Sequence, residues 1–191
     1  VNAEKERMLR GEPYNAADPD LLLERKQCRL LCERFNAASF GDTVAHLAAL
    51  RELLGELGED AEVLPPFQCD YGWHISVGAR TFINFGAVVL DGAKVTIGAD
   101  VQMGPGVQLL TALHPVDPVE RRRGTETALP VTIGDGAWLA AGVIVCPGVS
   151  IGADTVVGAG SVVTKDLPAG HVCFGNPCGV IKAIEPGDPA G

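Results

Sequence analysis

Aromatic residues make up only 5% of this 191-residue chain, with two Trp, two Tyr and six Phe. So thin a supply excludes a core built on large rings and leaves Val, Ile, Leu and Ala to fill the interior. No apolar run approaches the roughly 18 residues of a membrane span, and the first residues do not read as a secretory signal. The expectation is a cytoplasmic protein with no membrane partner. Positive charge is also short, with 15 Lys and Arg against 24 Asp and Glu and a net charge of −9. A broad nucleic-acid surface is thereby excluded. Local cations remain at Arg121-Arg122-Arg123, Lys165 and Lys182, enough for a small anionic ligand. The six cysteines form no regular framework. Cys28 and Cys32 lie one helical turn apart, half of a zinc site, but no second pair stands near them in sequence. All six are read as reduced thiols, and no metal is expected.

What the chain does have is a repeat of six. Eleven hexads open on an apolar residue, at Val77, Ile83, Val89, Ile97, Met103, Leu109, Ile133, Leu139, Val145, Ile151 and Val157, and Val163 opens a twelfth. The phase slips once, near Val95-Thr96, and then survives the long step from Leu109 to Ile133. Neither the helical period nor strand alternation spaces apolar residues by six with glycines at fixed offsets. A solenoid does, because each hexad forms one flat face of a coil and turns its leading residue to the axis. Three hexads per turn make a triangular prism. The fifth position is small or β-branched (Thr81, Ala87, Val101, Ala137, Thr155, Ser161), as a corner packed near the axis requires. An antiparallel sandwich would instead show alternation and turn signals every 8–12 residues or so.

Around the repeat, residues 3–10 read as a short helix. Asp18-Pro19-Asp20 caps a second helix, Leu21 to Phe35, with Leu22, Arg25, Cys28, Leu31 and Cys32 on its face. Residues 42–57 read as a third, with Val44, Leu47, Leu50 and Leu54 as its stripe. The chain divides into an N-terminal helical segment, 1–60, and a repeat domain, 61–191. Within the latter, residues 61–70 are expected to be an extended lead-in and the coils to run from Tyr71 to Asp166, with a closing tail. The helices and the tail are the candidates to cap the open ends.

The interruption of the repeat, Thr111 to Pro130, is where chemistry is expected, since a loop thrown out of a rigid scaffold has no packing reason to exist. It holds His114, followed by Pro115, which fixes the next backbone angle, and Glu126 lies further along the same loop. Of the other histidines, His46 is read as solvated and His74 as a cap at the start of the coils. His171 lies in the tail.

Several segments together resemble the maltose/galactoside O-acetyltransferases, hexapeptide-repeat acyltransferases that include the nodulation-type acetyltransferases. They are Gly11-Glu12-Pro13-Tyr14, Asp70-Tyr71-Gly72, Phe82-Ile83-Asn84-Phe85, Leu90-Asp91, Thr111 through Pro115, Gly124-Thr125-Glu126, Pro130 through Asp135, Trp138, Gly158 through Asp166, and Gly175-Asn176-Pro177. The resemblance spans nearly the whole chain. It implies a mainly β protein, a left-handed parallel β-helix with an N-terminal α-helical segment and a protruding loop, assembled as a homotrimer. Acetyl-CoA would be the donor and a sugar or oligosaccharide hydroxyl the acceptor.

The same resemblance assigns roles. His114 is the general base, a task that a neutral imidazole suits near pH 7. None of the cysteines lies beside His114 in sequence, so direct transfer is expected rather than an acyl-enzyme. Asp70, Asn84 and Asp91 fall at acceptor-binding positions, and Glu126 is placed either to orient His114 or to bind an acceptor hydroxyl. Trp138, Ala141, Ala159, Thr164, Lys165 and Lys182 fall along the cofactor track, the two lysines toward phosphates. The chain also departs from its relatives. Gly179 stands where an Arg is found, Ala141 where a Ser is, and Gly92 and Ala16 where acceptor-gripping Asp residues are. These departures leave the acceptor open. A zinc carbonic anhydrase on the same prism would need three converging histidines, and a non-catalytic scaffold would not need the His114 loop.

Overall fold

In a computed structural model of the chain, residues 2–38 and 41–188 are described. The hexads wind into a parallel β-solenoid whose three faces are sheets of short strands stacked coil on coil. One face carries Glu56–Leu57, Ile75–Val77, Val95–Ile97, Val131–Ile133 and Ser150–Ile151. The next carries Glu62–Val63, Phe82–Ile83, Gln102–Met103, Trp138–Leu139, Val156–Val157 and His171–Gly175. The third carries Phe67–Cys69, Ala87–Leu90, Gln108–Leu110, Ile144–Val145 and Val162–Val163.

Every leading residue of the repeat is buried, from Val77 at 3% exposure to Val163 at 0%. The backbone bonds run between coils. Gly78 N–H donates to Ile97 O, Gly98 N–H to Ile133 O and Gly134 N–H to Ile151 O, each at 2.8 Å. Val95 pairs directly with Val131 and Ile97 with Ile133, so the long insertion leaves the stacking register intact. At the corners coils approach so closely that a Cβ on Gly78 would lie 2.4 Å from the Ala99 nitrogen. Fifth-position hydroxyls serve the same corners. Buried Thr81 donates to Gly98 O at 2.7 Å and accepts from Val101 N–H at 3.0 Å, which satisfies groups that the turn would otherwise strand without water.

The helices close one end. α1 is Ala3–Leu9, α2 Pro19–Ala37 and α3 Thr43–Leu53. Asp18 starts α2 by accepting the Asp20 N–H at 3.0 Å, with Pro19 pre-set for the first turn. The buried stripe of α2 is Leu21, Cys28, Cys32 and Phe35; Leu22, expected on that face, is half exposed. α3 ends at Leu53 rather than at 57, and Val44 of its expected stripe is 81% exposed. His46, expected in solvent, is half buried with its ring 4.5 Å from that of Phe35. Phe35, Leu50 and Leu53 share one apolar cluster with Val63, Phe67 and the leading residues of the coils. The helical segment and the prism therefore share a core.

That cap moves the start of the prism. Glu56–Leu57 pairs in parallel with Ile75–Val77, and Glu62–Val63 with Phe82–Ile83, so residues 56–69 form a first coil where the end of a helix, to 57, and an extended lead-in, from 61, were expected. At the far end His171–Gly175 stacks on Val156–Val157, and Cys178–Ala183 folds back on it as an antiparallel hairpin.

Candidate active site

The insertion leaves the prism at the corner between its third and first faces. It is a folded hairpin rather than a bare loop. Ala112–Leu113 pairs antiparallel with Thr125–Ala128, and α4, Pro118–Arg122, lies between them. The hairpin gains a third strand from Tyr14–Asn15, which places Tyr14 directly across from Glu126. Asp117 caps α4, accepting Val119 N–H at 2.8 Å, and the Arg121 guanidinium donates to Pro115 O at 2.9 Å and Val116 O at 3.0 Å. The backbone just after His114 is thus pinned.

His114 Nε2 lies 3.8 Å from Glu126 Oε2, with His114 largely exposed and Glu126 mostly covered. The other Glu126 oxygen accepts a short hydrogen bond from the Tyr14 hydroxyl. Tyr14 is buried, and burial together with the neighbouring carboxylate pushes its phenol well above the usual range, so it remains a donor. An open cleft of about 420 Å³ beside His114 is lined by Ala16, Ala17, Leu22, Arg25, Arg121 and Gly124. Roomier hollows lie elsewhere, about 710 Å³ beneath α1, 720 Å³ beside α3 and 590 Å³ between α2 and α3, and none of the three is lined by His114.

Asp70 sits on the same corner, half buried. Burial raises its carboxyl pKa, nearby Glu126 adds to the rise, and Arg25 opposes it. Arg25 also donates to the Tyr71 hydroxyl at 2.6 Å and to Ala16 O, tying α2 to this rim. Asp91, expected to touch the acceptor, is fully buried and cannot. Its Oδ1 accepts the backbone N–H of Asp70 at 3.0 Å and of Tyr71 at 2.9 Å, so it holds the turn that presents Asp70. Its Oδ2 has no partner among the described residues, and burial pushes its pKa up to about 6. His74 donates its Nδ1–H to the Asp91 carbonyl oxygen at 2.7 Å and is likewise structural.

Asn84, Ala141 and Ala159 are elsewhere, at the corner between the second and third faces, with Trp138 outward on the second face and 41% exposed. Asn84 N–H donates to Met103 O one coil on, and Gly160 N–H to Ala141 O, so these positions climb one edge of the prism. The Asn84 Oδ1 also accepts Phe85 N–H at 2.8 Å. Thr164 and Lys165 are exposed and return to the first corner, two coils beyond the insertion. Lys182, on the terminal hairpin, is ion-paired with Asp188 at 2.8 Å. A single chain therefore gathers His114, Glu126 and Asp70, and keeps Asn84, Ala141 and Ala159 across a whole face from them.

Sequence reasoning gave no role to Tyr14 or Arg25 and marked Arg121 only as a local cation, not as the group that pins the backbone after His114. The Gly11-Glu12-Pro13-Tyr14 segment was the available signal for the first. For Arg25, its place on the inner side of α2 was the only one.

The maltose acetyltransferase hexapeptide capping motif matches residues 7–58, and the six-repeat bacterial transferase hexapeptide matches residues 130–165. Nodulation protein L of Rhizobium meliloti is 49% identical over 182 residues, covering 94% of this chain and 98% of that protein. The chain belongs to the maltose/galactoside O-acetyltransferase family of hexapeptide-repeat acetyltransferases. The crystal structure of a maltose O-acetyltransferase from Clostridium difficile 630 superposes with a TM-score of 0.94 at 44% identity, covering 97% of this chain and 99% of that one. A galactoside acetyltransferase in complex with coenzyme A gives 0.92 at 34% identity, covering 97% and 92%. The family's enzymes are acetyltransferases, and this chain is one of them. Among its described residues no helix is long and apolar enough to cross a membrane.

Proposed function

We propose that this acetyltransferase moves the acetyl group of acetyl-CoA onto a hydroxyl of a sugar or oligosaccharide, with His114 as general base. The observation that carries the reading is His114 beside Glu126, itself anchored by Tyr14, on a rim that also presents Asp70. A sugar hydroxyl has a pKa far above 7, so its proton must leave as the new C–O bond forms. His114 takes that proton as the oxygen attacks the thioester carbonyl. The C–S bond breaks, and the imidazolium returns the proton to the departing thiolate. Glu126 faces the imidazole where its positive charge develops. Asp70 and Asn84 offer an acceptor carboxylate and a two-way amide to a polyhydroxylated substrate. Asp91 acts through Asp70 rather than on the substrate.

Acetyl-CoA fits the edge that bears Trp138, Ala141 and Ala159, with Thr164 and Lys165 toward its phosphates and Lys182 as a further cation. Those groups stand on two corners of one prism, so the site is completed between copies, His114 of one facing the Asn84 edge of the next. A homotrimer closes three such clefts. The carbonic anhydrase reading needs three histidines converging between copies, two of them closely spaced, and finds little in a chain whose four histidines are widely scattered.

The test is release of CoA thiol from acetyl-CoA across glucose, maltose, galactosides and chito-oligosaccharides. His114→Ala should lower kcat by about 10²–10⁴ with cofactor binding nearly kept. Wild-type turnover in that variant, its fold intact by circular dichroism, overturns the assignment. Sedimentation should give a trimer; a monomer at micromolar concentration removes the shared cleft.

A further inference from the structure

Outside this site, α2 and the strand Phe67–Cys69 bring three thiols to one point. Cys28 and Cys32 project from adjacent turns of α2 onto Cys69. The sulfur separations are 3.5 Å for Cys28–Cys69 and 3.7 Å for Cys32–Cys69. All three sulfurs lie within 4.8 Å of one another and are buried. A single third thiol, rather than a second pair, joins Cys28 and Cys32, arriving from 37 residues away through the fold.

Three sulfurs bound to one ion at about 2.3 Å each stand roughly 3.8–4.0 Å apart. Two of the three separations, 3.5 and 3.7 Å, are already close to that spacing, and the third is no more than 4.8 Å, so the thiols can close on one ion without a change of fold. Among the described residues no fourth Cys, His or carboxylate joins the group. A structural zinc ion takes four protein ligands in a closed site, so the donor set is one short for zinc. Thiolate sulfur selects soft ions, copper(I) among them, and copper(I) is satisfied by three sulfurs in a plane. We propose that Cys28, Cys32 and Cys69 form a buried three-sulfur site for a single copper(I) ion. On binding, each thiol that becomes a ligand gives up its proton to solvent. The copper enters and stays as copper(I), so no oxidant or reductant is consumed.

The position gives the site a consequence. Cys69 immediately precedes Asp70, and α2 already reaches the same rim through Arg25 and Tyr71. An ion here would bolt α2 to the coil that presents Asp70, stiffening the cap without entering the cleft. This inference stands independently of the acyl-transfer reading.

The experiment uses the full chain carrying Cys146→Ser and Cys178→Ser, which removes the two partly exposed thiols. The reduced protein is offered copper(I) without oxygen, both folded and during refolding, against a coloured copper(I) chelator. The expected result is one copper retained per chain, three sulfur neighbours by X-ray absorption, and a raised melting temperature. Adding Cys69→Ser should weaken retention at least tenfold. The proposal is overturned if the chelator keeps all the copper in both arms, or if Cys69→Ser retains it equally. Fewer than three sulfur neighbours, or retention of zinc(II) in preference to copper(I), overturns it as well. Should the Cys69 variant fail to fold, the absorption measurement on the parent chain still decides.

Discussion

Tyr14→Phe is the sharpest probe of how His114 is held. The ring is buried at 2% exposure and stays in place; only the hydroxyl that donates to Glu126 is lost. A hydrogen bond to a charged group is worth about 1.5–3 kcal/mol. If all of it served to hold Glu126 against the developing imidazolium, kcat would fall by roughly 10- to 100-fold. Glu126 is 16% exposed, so water replaces part of the lost bond, and a drop near the lower figure of about tenfold is expected. The KM for acetyl-CoA should stay put, because the residues proposed for the cofactor lie on the other edge and at Lys165. Unfolding in urea should show a loss of about 1–2 kcal/mol. Steady-state kinetics with either substrate varied separates the two parameters. A kcat within twofold of the parent, or a shift confined to the acetyl-CoA KM, refutes the chain of support from Tyr14 through Glu126 to His114.

Two further perturbations bear on different groups. Lys165→Ala removes an exposed cation from an acidic protein; at about 0.2–1 kcal/mol it should raise the acetyl-CoA KM up to several-fold, leave the acceptor KM alone, and matter less as salt rises. Movement of the acceptor KM instead would place the cofactor on the wrong side of the cleft. Asp91 has a folded pKa near 6 against an ordinary value of 3.8, so its ionised form opposes folding. Its contribution is therefore fully favourable below about pH 4 and is lost as pH rises through about 6, a swing of about 3 kcal/mol at most. Asp91→Asn keeps an oxygen for the Asp70 and Tyr71 amides and should abolish this swing. A stability difference between parent and variant that stays flat from pH 4 to 7 would contradict the buried charge.

The prism was legible because its period is a local property: one buried residue every six positions survives both the slip near Val95 and the insertion. The first coil was not: Leu57, Val63 and Cys69 do stand six apart, but an eight-residue step to Val77 breaks them from the repeat, and pairing with Ile75–Val77 and Phe82–Ile83 is what shows them to be strands. The choice of Leu21 over Leu22 depends on the angle at which α2 meets the prism, which helical spacing alone does not set. His114 and Glu126 stood out on one inserted segment. Their support did not, because Tyr14 lies 112 residues from Glu126 and reaches it by adding a strand to the hairpin. Cys69 escaped for the same reason. Asp91 was misplaced because a motif match identifies a position but not whether its side chain faces the cleft or the core.

Tyr14 also explains how one departure from the relatives is accommodated. A Cβ at Gly92 would lie 3.2 Å from the Tyr14 hydroxyl and 3.3 Å from the Ala128 Cβ. Glycine there lets the phenol settle over the coil with its proton directed to Glu126. An aspartate would bring a second carboxylate within reach of the same hydroxyl, and Tyr14 has one proton to give. The two acids would compete, or the ring would have to shift and take the added strand with it. Ala16, the other departure, lines the His114 cleft directly and leaves it without an acid at that point. Both departures fall on the rim proposed for the acceptor, beside His114, Glu126 and Asp70. On the proposed reading, the two departures alter what would surround the acceptor and leave in place the groups that would move the proton.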